Sequence, residues 1–372
     1  MKKGWQTKKL VEVATLQRGF DLPTQDRLSG DIPLVTSSGI SDTHNKSAVR
    51  GPGVATGRSG SIGNVFFIEE DFWPLNTVLY VKDFHGNDPR FVFHLLKEFD
   101  LKRFASGSGV PTLNRNFVHD ELVSVPSLPE QRRIVGILDE ALDGLVTAKA
   151  NAEKNLQYAR ALFESHLQSV FTLRGEVWPI KKLGELSDQI TDGTHNSPPY
   201  VEAGIPMLDS KHVKDGFLID DTEPEKFISL ATDALLAKRC KPRAGDILIS
   251  SRGSIGKIAI VREGQDFNIM GNMILIRLPA GVSREFTAFY LRSQVSHIES
   301  IARGVAQKGL YLNQIRDYEL PQPPKTKQAQ IGKQLNALST ETQRLESIYL
   351  QKLTALDDLK KSLLHQAFSG HL

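Results

Sequence analysis

Between Gln131 and Phe171 the chain sets apolar or small residues at Ile134, Leu138, Ala141, Leu145, Ala148, Ala152, Leu156, Ala159, Leu162 and Val170. Steps of three and four dominate, which is the period of a helical seam and not of a strand. Shifting every position by 197 residues gives Ile331, Leu335, Leu338, Thr342, Leu345, Tyr349, Leu353, Leu356, Leu359 and Ala367, and only Thr342 is neither apolar nor aromatic. Neither segment contains proline, but each starts just beyond prolines: Pro126 and Pro129 in the first copy, Pro321, Pro323 and Pro324 in the second. Those prolines are read as ending the preceding globular part. The pattern predicts two helices of about 41 residues, roughly 60 Å long at 1.5 Å per residue. Alone, each would expose its apolar stripe to water. The arms either seek separate outside partners or pair with each other, and equal length with matched register favours pairing. The expected contacts are Ile134, Leu138, Leu145, Leu156 and Leu162 on the first helix with Ile331, Leu335, Leu345, Leu353 and Leu356 on the second, positions that serve mutual pairing or partner docking. An antiparallel return would close the chain into a pseudo-circle with a globular head at each end of a rod.

The remaining sequence is also written twice. Trp5-x-x-Lys8-Lys9-Leu10 recurs as Trp178-x-x-Lys181-Lys182-Leu183, and Gly60-Ser61-Ile62-Gly63 as Gly253-Ser254-Ile255-Gly256, each after an arginine, Arg58 or Arg252. Leu113-Asn114 is matched with Leu312-Asn313, each following a Gly-rich loop, Ser106 to Gly109 or Arg303-Gly304. Repeats of this kind mark duplicated units. β-Branched runs bounded by Gly, Asn and Asp predict strands at Val54-Ala55, Val65 to Ile68 and Val78 to Val81, then at Asp246 to Ser250, Lys257 to Val261 and Met273 to Arg277. Helices are expected over Pro89 to Asp100 and Ser283 to Gln294. The fold class is α+β: two similar mixed α/β domains separated by a pair of long antiparallel coiled-coil helices, pseudo-twofold and circularly arranged. The expected bounds are 1–126 for the first domain, 127–173 for the first helix, 174–323 for the second domain and 324–372 for the second helix.

Composition narrows the chemistry. A net charge of +3 over 372 residues permits nucleic-acid binding without demanding it, so contacts must come from local patches or a partner. One cysteine, Cys240, rules out an internal disulfide, and the ten histidines show no H-x-x-x-H spacing, so no metal site is expected. Residues 1–10 lack the apolar run of a signal peptide and no stretch approaches the ~20 apolar residues of a membrane span, so a cytoplasmic location is expected. Arg252 to Lys257 resembles a phosphate-binding loop but has Ser251 where the first glycine belongs and Ile258 where a hydroxyl should hold magnesium. A tight turn between strands explains it better, and such a turn could present Arg58 or Arg252 to DNA. Ser197-Pro198-Pro199-Tyr200 matches the loop with which DNA amino-methyltransferases hold a flipped base. No F-x-G-x-G for S-adenosylmethionine accompanies it, and the stretch before Thr191 is short and polar instead of reading as a strand. A lone DNA amino-methyltransferase is therefore the weaker alternative, beside a coiled-coil scaffold whose heads bind protein and not DNA.

Several segments together resemble the specificity subunit of type I restriction-modification systems. Asp192-Gly193-Thr194-His195 with Pro198 is similar to the family's D-G-T-H-x-x-P signature, and Gly245 to Ser250 through Gly256-Lys257 to its G-D-[IV]-L-[IV]-S…G-x-[IV]-G-K segment. Leu128-Pro129-Glu130-Gln131 with Ile134-Val135 resembles the start of the family's first conserved helix, and Ala367-Phe368-Ser369-Gly370 the end of its second. Two departures stand out: the second helix opens Lys325-Thr326-Lys327-Gln328, and the first head lacks D-G-T-H. Asp42-Thr43-His44-Asn45 echoes that signature out of register and is read as coincidence. The resemblance implies a non-catalytic reader of double-stranded DNA that binds no cofactor itself. Each head would be a target-recognition domain for one half of a gapped target, with half-sites about one DNA turn (~34 Å) apart. The helices would set the gap and dock two modification subunits that bind S-adenosylmethionine; two restriction subunits would add ATP- and Mg-dependent cleavage. Candidate DNA contacts are the basic or polar loop residues. In the first head these are Arg18, Lys46, Arg50, Arg58, Ser59, Arg103 and Arg115. In the second they are His195, Lys211, His212, Lys214, Arg252, Lys257, Arg303, Gln307 and Lys308. Lys8, Lys9, Lys181 and Lys182 recur but could simply flank each head's first strand.

Overall fold

The structure, a computed structural model, describes residues 4–107, 111–172, 178–304 and 308–372. Gln307, Ser108, Gly109 and the expected boundary at 173–174 lie outside the described residues. The chain forms two compact units, Met1–Ala152 with Lys352–Leu372, and Glu153–Gln351.

The first unit holds a four-stranded antiparallel sheet in the order Thr15–Arg18, Val78–Asp83, Gly53–Gly57, Val65–Ile68. A second sheet runs Gly39–His44, Ile32–Thr36, Trp73–Pro74, with its last two strands parallel. Gln6–Lys9 pairs with Leu122–Val125 and ties the ends of the head together. The helix Pro89–Glu98 starts where the sequence predicts, because the carboxylate of Asp88 accepts from the Arg90 and Phe91 amides and Pro89 needs no donor there. Its apolar face, Phe91, Val92, Leu95 and Leu96, is buried in the core of this unit.

The second unit repeats this plan. Its sheet runs Gln189–Asp192, Met273–Arg277, Ile247–Ser250, Ile258–Ile260. The companion sheet runs Tyr200–Val201, Phe227–Ile228, Ile205–Leu208, Asn268–Ile269, again ending in a parallel pair. Ile180–Lys182 pairs with Glu319–Pro321, and the helix Arg284–Ser293 is capped by Ser283. The six predicted strands and two head helices are present within a residue or two at each end. The stretch before Thr191, expected not to be a strand, is one. Gln189–Asp192 lies at a sheet edge and buries only Ile190, so it carries little apolar signal.

Hydrogen bonding fixes which residues correspond, and it moves one pair. The Leu113 amide donates to Arg58 O (2.8 Å) and the Leu310 amide to Ser251 O (2.9 Å). Leu310, not Leu312, is therefore the partner of Leu113, and both are buried. Lys9 reaches Asp120 (2.8 Å) and Lys182 reaches Asp317 (2.9 Å), so those recurring lysines brace each head's first strand. The counterpart of Asp192-Gly193-Thr194 in the first head is Arg18-Gly19-Phe20, since Thr194 bridges Met270 as Phe20 bridges Leu75. At Gly193 a Cβ would sit 2.1 Å from Ile269 O, and at Gly19 2.2 Å from Leu75 O, so both backbones pass where no side chain fits. Asp42 to His44 lies in a different strand, Gly39–His44, as the out-of-register reading requires.

The long helices are Leu128–Thr172 and Lys325–Ser369, 45 residues each. The first starts at Leu128, ahead of the seam that opens at Gln131, because Pro129 sits in its first turn, where a missing N–H costs nothing. In the first unit Ile134 and Leu138 share a core with Leu364 and Ala367, and Lys149 pairs with Asp357 at 2.9 Å. In the second, Phe163, Leu167 and Phe171 share a core with Ile331 and Leu335, and Arg160 pairs with Glu346 at 3.1 Å. Advancing along one helix retreats along the other in each unit, so the pairing is antiparallel. Leu162 is corrected: it is 65% exposed and Phe163 takes its place in the seam. Leu359 is likewise exposed, whereas the polar Thr342 is buried. Leu145, Leu156, Leu345, Leu353 and Leu356 are half-buried, as expected where only two helices meet.

Gln131 and Gln328 occupy the same buried position in the two long helices. The Gln131 amide donates to Asn87 Oδ1 (2.8 Å) and Pro126 O (3.0 Å) and accepts from the Asp88 amide (2.9 Å). Gln328 donates to Pro323 O (2.9 Å) and accepts from the Ser283 amide. The altered opening Lys325-Thr326-Lys327-Gln328 thus keeps the residue that clamps the head helix to the long one. Gln131→Leu strands a buried amide and carbonyl, and a loss of about 2–3 kcal/mol is expected. Urea denaturation would register it as a lower midpoint at unchanged slope; a loss under half that size would refute the clamp.

Candidate nucleic-acid interface

Parallel strand pairs leave a crevice beyond their carboxyl ends, and each head has one. In the second head Ile205–Leu208 runs out into Asp209, and Asn268–Ile269 into Met270-Gly271-Asn272. The resulting cleft, of about 210 Å³, is also lined by Thr194, His195, Lys211, His212 and Arg252. In the first head Ile32–Thr36 runs into Ser37-Ser38, and Trp73–Pro74 into Leu75-Asn76-Thr77. This cleft, of about 360 Å³, is also lined by Asp21 and Arg27. The two clefts occupy equivalent places in the fold and share almost no side-chain chemistry.

The D-G-T-H stretch builds one wall of the second cleft. The Thr194 amide donates to Ile269 O (3.2 Å) and the Gly271 amide to Thr194 O (2.7 Å). Asp192 holds the His195 ring at 2.6 Å and also pairs with Arg239. Gly271 makes room for that ring, since a Cβ there would lie 2.5 Å from His195 Nδ1. Tyr200 stands nearby in the edge strand Tyr200–Val201, with Lys226 over its ring at 5.0 Å and its hydroxyl 3.9 Å from Met270 Sδ. Its ring is committed to the cleft rim, which does not suit gripping an extruded base.

Of the sequence-predicted contacts, His195, Lys211, His212 and Arg252 meet at this cleft. His212 is buried and pairs with Asp209 (3.0 Å), so it shapes the wall. Lys214 and Lys257 line a separate hollow of about 230 Å³, and Arg303 a third beside Asn313. Lys308 is exposed. In the first head Arg18 pairs with Asp21 (3.2 Å) and Arg58 donates to Asn76 O (3.3 Å), which places both at the cleft edge. Lys46, Arg50 and Arg115 are exposed away from it. Arg103 is engaged by Glu121 (2.6 Å) and lies over the Phe104 ring at 4.5 Å, which serves local packing. Arg58 and Arg252 are not equivalent, although each stands shortly before the matching glycines. The first head reads Arg58-Ser59-Gly60 and the second Ser251-Arg252-Gly253, so Ser59 is the counterpart of Arg252.

Asp21, Arg27, Asn76, Asp209 and Asn272 were missed by sequence reasoning. They sit in loops far apart in the chain, and their one shared signal is that Asn76 and Asn272 precede the apolar runs Val78–Val81 and Met273–Ile276. At the end of the sheet away from the second cleft, Asp246 takes two bonds from Arg277, Nε at 2.9 Å and Nη2 at 2.6 Å, and a third from the Arg243 amide. The thiol of Cys240 is pushed up to about 12 by burial, so it offers no thiolate near neutral pH. Among the described residues no His, Cys, Asp and Glu cluster could hold a metal ion, and no helix is long and apolar enough to cross a membrane.

Comparison with known proteins agrees with this architecture. The family model described as type I restriction modification DNA specificity domain matches twice, over residues 2–156 and 164–355. The type I restriction enzyme EcoBI specificity subunit of Escherichia coli is 26% identical over 318 residues, 76% of this chain and 65% of that subunit, just under two thirds of its length. The MjaVIII specificity subunit of Methanocaldococcus jannaschii is 22% identical over 77% of this chain and 70% of its own. A solved chain from work on complex assembly and conformational transition of the type I R-M system superposes with a TM-score of 0.79 at 20% identity, covering 100% of this chain and 99% of the other. The HsdS subunit of Thermoanaerobacter tengcongensis gives 0.64 at 20% identity, covering 100% and 98%. At that identity the structures speak for the shared fold, and the doubled family match spans most of the chain. The protein belongs to the type I restriction modification DNA specificity domain family.

Proposed function

We propose that the chain is a non-catalytic DNA-recognition subunit whose two heads each read one half of a gapped, asymmetric target. The observation that carries this reading is the pair of equivalent clefts with different linings, one bordered by His195, Lys211 and Arg252, the other by Asp21, Thr36 and Asn76. A duplicated scaffold with diverged reading surfaces suits a target whose halves differ. The antiparallel helices set the unread gap and dock two modification subunits, which bring S-adenosylmethionine; two restriction subunits bring ATP- and Mg-dependent cleavage. Co-expressed with its modification partner, the protein is expected to direct adenine methylation to a two-part motif, read by sequencing the methylated host DNA. Absent or sequence-independent methylation would reject the proposal. The isolated chain is expected to release no heat on titration with S-adenosylmethionine, and saturable binding would favour a lone methyltransferase through Ser197-Pro198-Pro199-Tyr200.

A further inference from the structure

The basic side chains around the second cleft are not equally available. Lys211 is paired with Glu225, Lys226 lies over Tyr200, and His195 is held by Asp192. Arg252 alone among these has a side chain without a hydrogen bond or ion pair among the described residues, and it is exposed.

Its backbone, in contrast, is firmly placed. Arg252 pairs with Gly309 across an antiparallel bridge, and the flanking Ser251 amide donates to Asn272 O at 2.8 Å. Gly253 then turns with φ of 76°, and the absence of a side chain at Gly309 leaves the Arg252 stem lying alongside it, with Cγ and Nε 3.7 Å from where a Cβ would be. Asn272 lines the same cleft, donates to Ser210 Oγ at 3.0 Å and keeps a buried Oδ1 without a hydrogen-bond partner among the described residues. A fixed base with an uncommitted fork is what recognition of a flat acceptor pair requires.

The first head differs at the same position. Ser59 takes the place of Arg252, held by its amide on Thr77 O at 3.2 Å. The neighbouring arginines are committed, Arg58 to Asn76 O, Arg18 to Asp21 and Arg27 to Asp42. This cleft offers hydroxyls and an amide where the other offers a free guanidinium.

We propose that Arg252 is the specificity-determining residue of the second head, its guanidinium reading the O6 and N7 acceptors of one guanine in the half-site that head recognises. The inference rests on the DNA-recognition reading above. The complex of the chain with its modification partner is tested on host DNA, comparing the wild type with Arg252→Ala and Arg252→Lys. Arg252→Ala is expected to relax one position of one half-site, raising methylation at sites with another base there by about tenfold relative to guanine sites. Arg252→Lys keeps the charge but loses the fork, and is expected to relax the same position. An unchanged motif with uniformly slower methylation in Arg252→Ala, restored by Arg252→Lys, would mark a phosphate contact and overturn the proposal. An unchanged motif at an unchanged rate would overturn it as well. If the wild-type complex itself yields no two-part motif, the DNA-recognition reading fails, and that outcome is separate from any change in Arg252.

Discussion

Asp246→Ala is expected to destabilise the second unit by about 3–5 kcal/mol. Asp246 is 4% exposed at its side chain and Arg277 20%, and the two form a bidentate pair. Arg277 also donates to Gln189 Oε1 at 2.8 Å and Lys241 O at 2.9 Å, so the guanidinium ties three strand ends together. Removing the carboxylate leaves a largely buried cation and strands the Arg243 amide, the costly way to break such a pair. Thermal melting should shift by roughly 2–4 °C for each kcal/mol in a unit of this size. The double change Asp246→Leu with Arg277→Met removes both charges and should recover much of the loss, which a purely steric effect of the alanine would not allow. A shift under about 1 kcal/mol in Asp246→Ala would reject a stabilising role. The first head shows why the pair is not universal. Gly53 is the counterpart of Asp246, and the Phe72 ring occupies its place, 2.3 Å from where a Cβ would be. Aromatic packing there substitutes for an ion pair.

Exchanging residues 1–126 for the corresponding head of another family member is expected to replace one half of the methylated motif entirely and leave the other half unaltered. The physical ground is topological closure. Gln6 pairs with Val125 and Lys9 with Leu122, so the head begins and ends on one two-stranded ladder. The Lys9–Asp120 pair reinforces that closure. The contacts that must be kept across the junction include Gln131 to Asp88 and Asn87, Arg90 and His94 to Asp139, and the apolar face of the long helix under Phe91 and Leu95. A donor head with an acceptor-binding cap residue and an apolar helix face at these positions should dock. Methylome sequencing of the exchanged complex decides the matter. Changes in both halves would show that the heads do not read independently.

The long helices were legible because their seam repeats at a helical period over many turns, and such a stripe has to be buried against another helix or a head. The duplication was legible from glycines and anchors that both copies need for backbone reasons: Gly60 and Gly63, Gly253 and Gly256 all have φ near +80°. Among the readings that failed, three have a definable reason. Gln189–Asp192 is a polar edge strand whose pairing comes from Met273–Arg277, not from its own residues. Leu162 fits the three-and-four count but yields to Phe163, because the head packed on that part of the helix rotates the buried face towards Phe289 and Phe217. Arg58 and Arg252 share a motif but not a place, since a one-residue offset before the glycine moves a side chain to the other face of the turn.

The sequence alone therefore determined the two heads, the paired helices and the family, since period, glycine placement and turn chemistry are local properties written in contiguous residues. Only the tertiary structure decided where the reading surface lies. Each cleft is assembled from loop residues such as Asp209, Arg252 and Asn272, or Asp21, Thr36 and Asn76, that hydrogen bonds and parallel strand ends bring together. The same holds for which cations are free to act. That depends on carboxylates such as Asp21 and Glu225 lying within ion-pair distance, a matter of geometry that residue types and spacing do not carry.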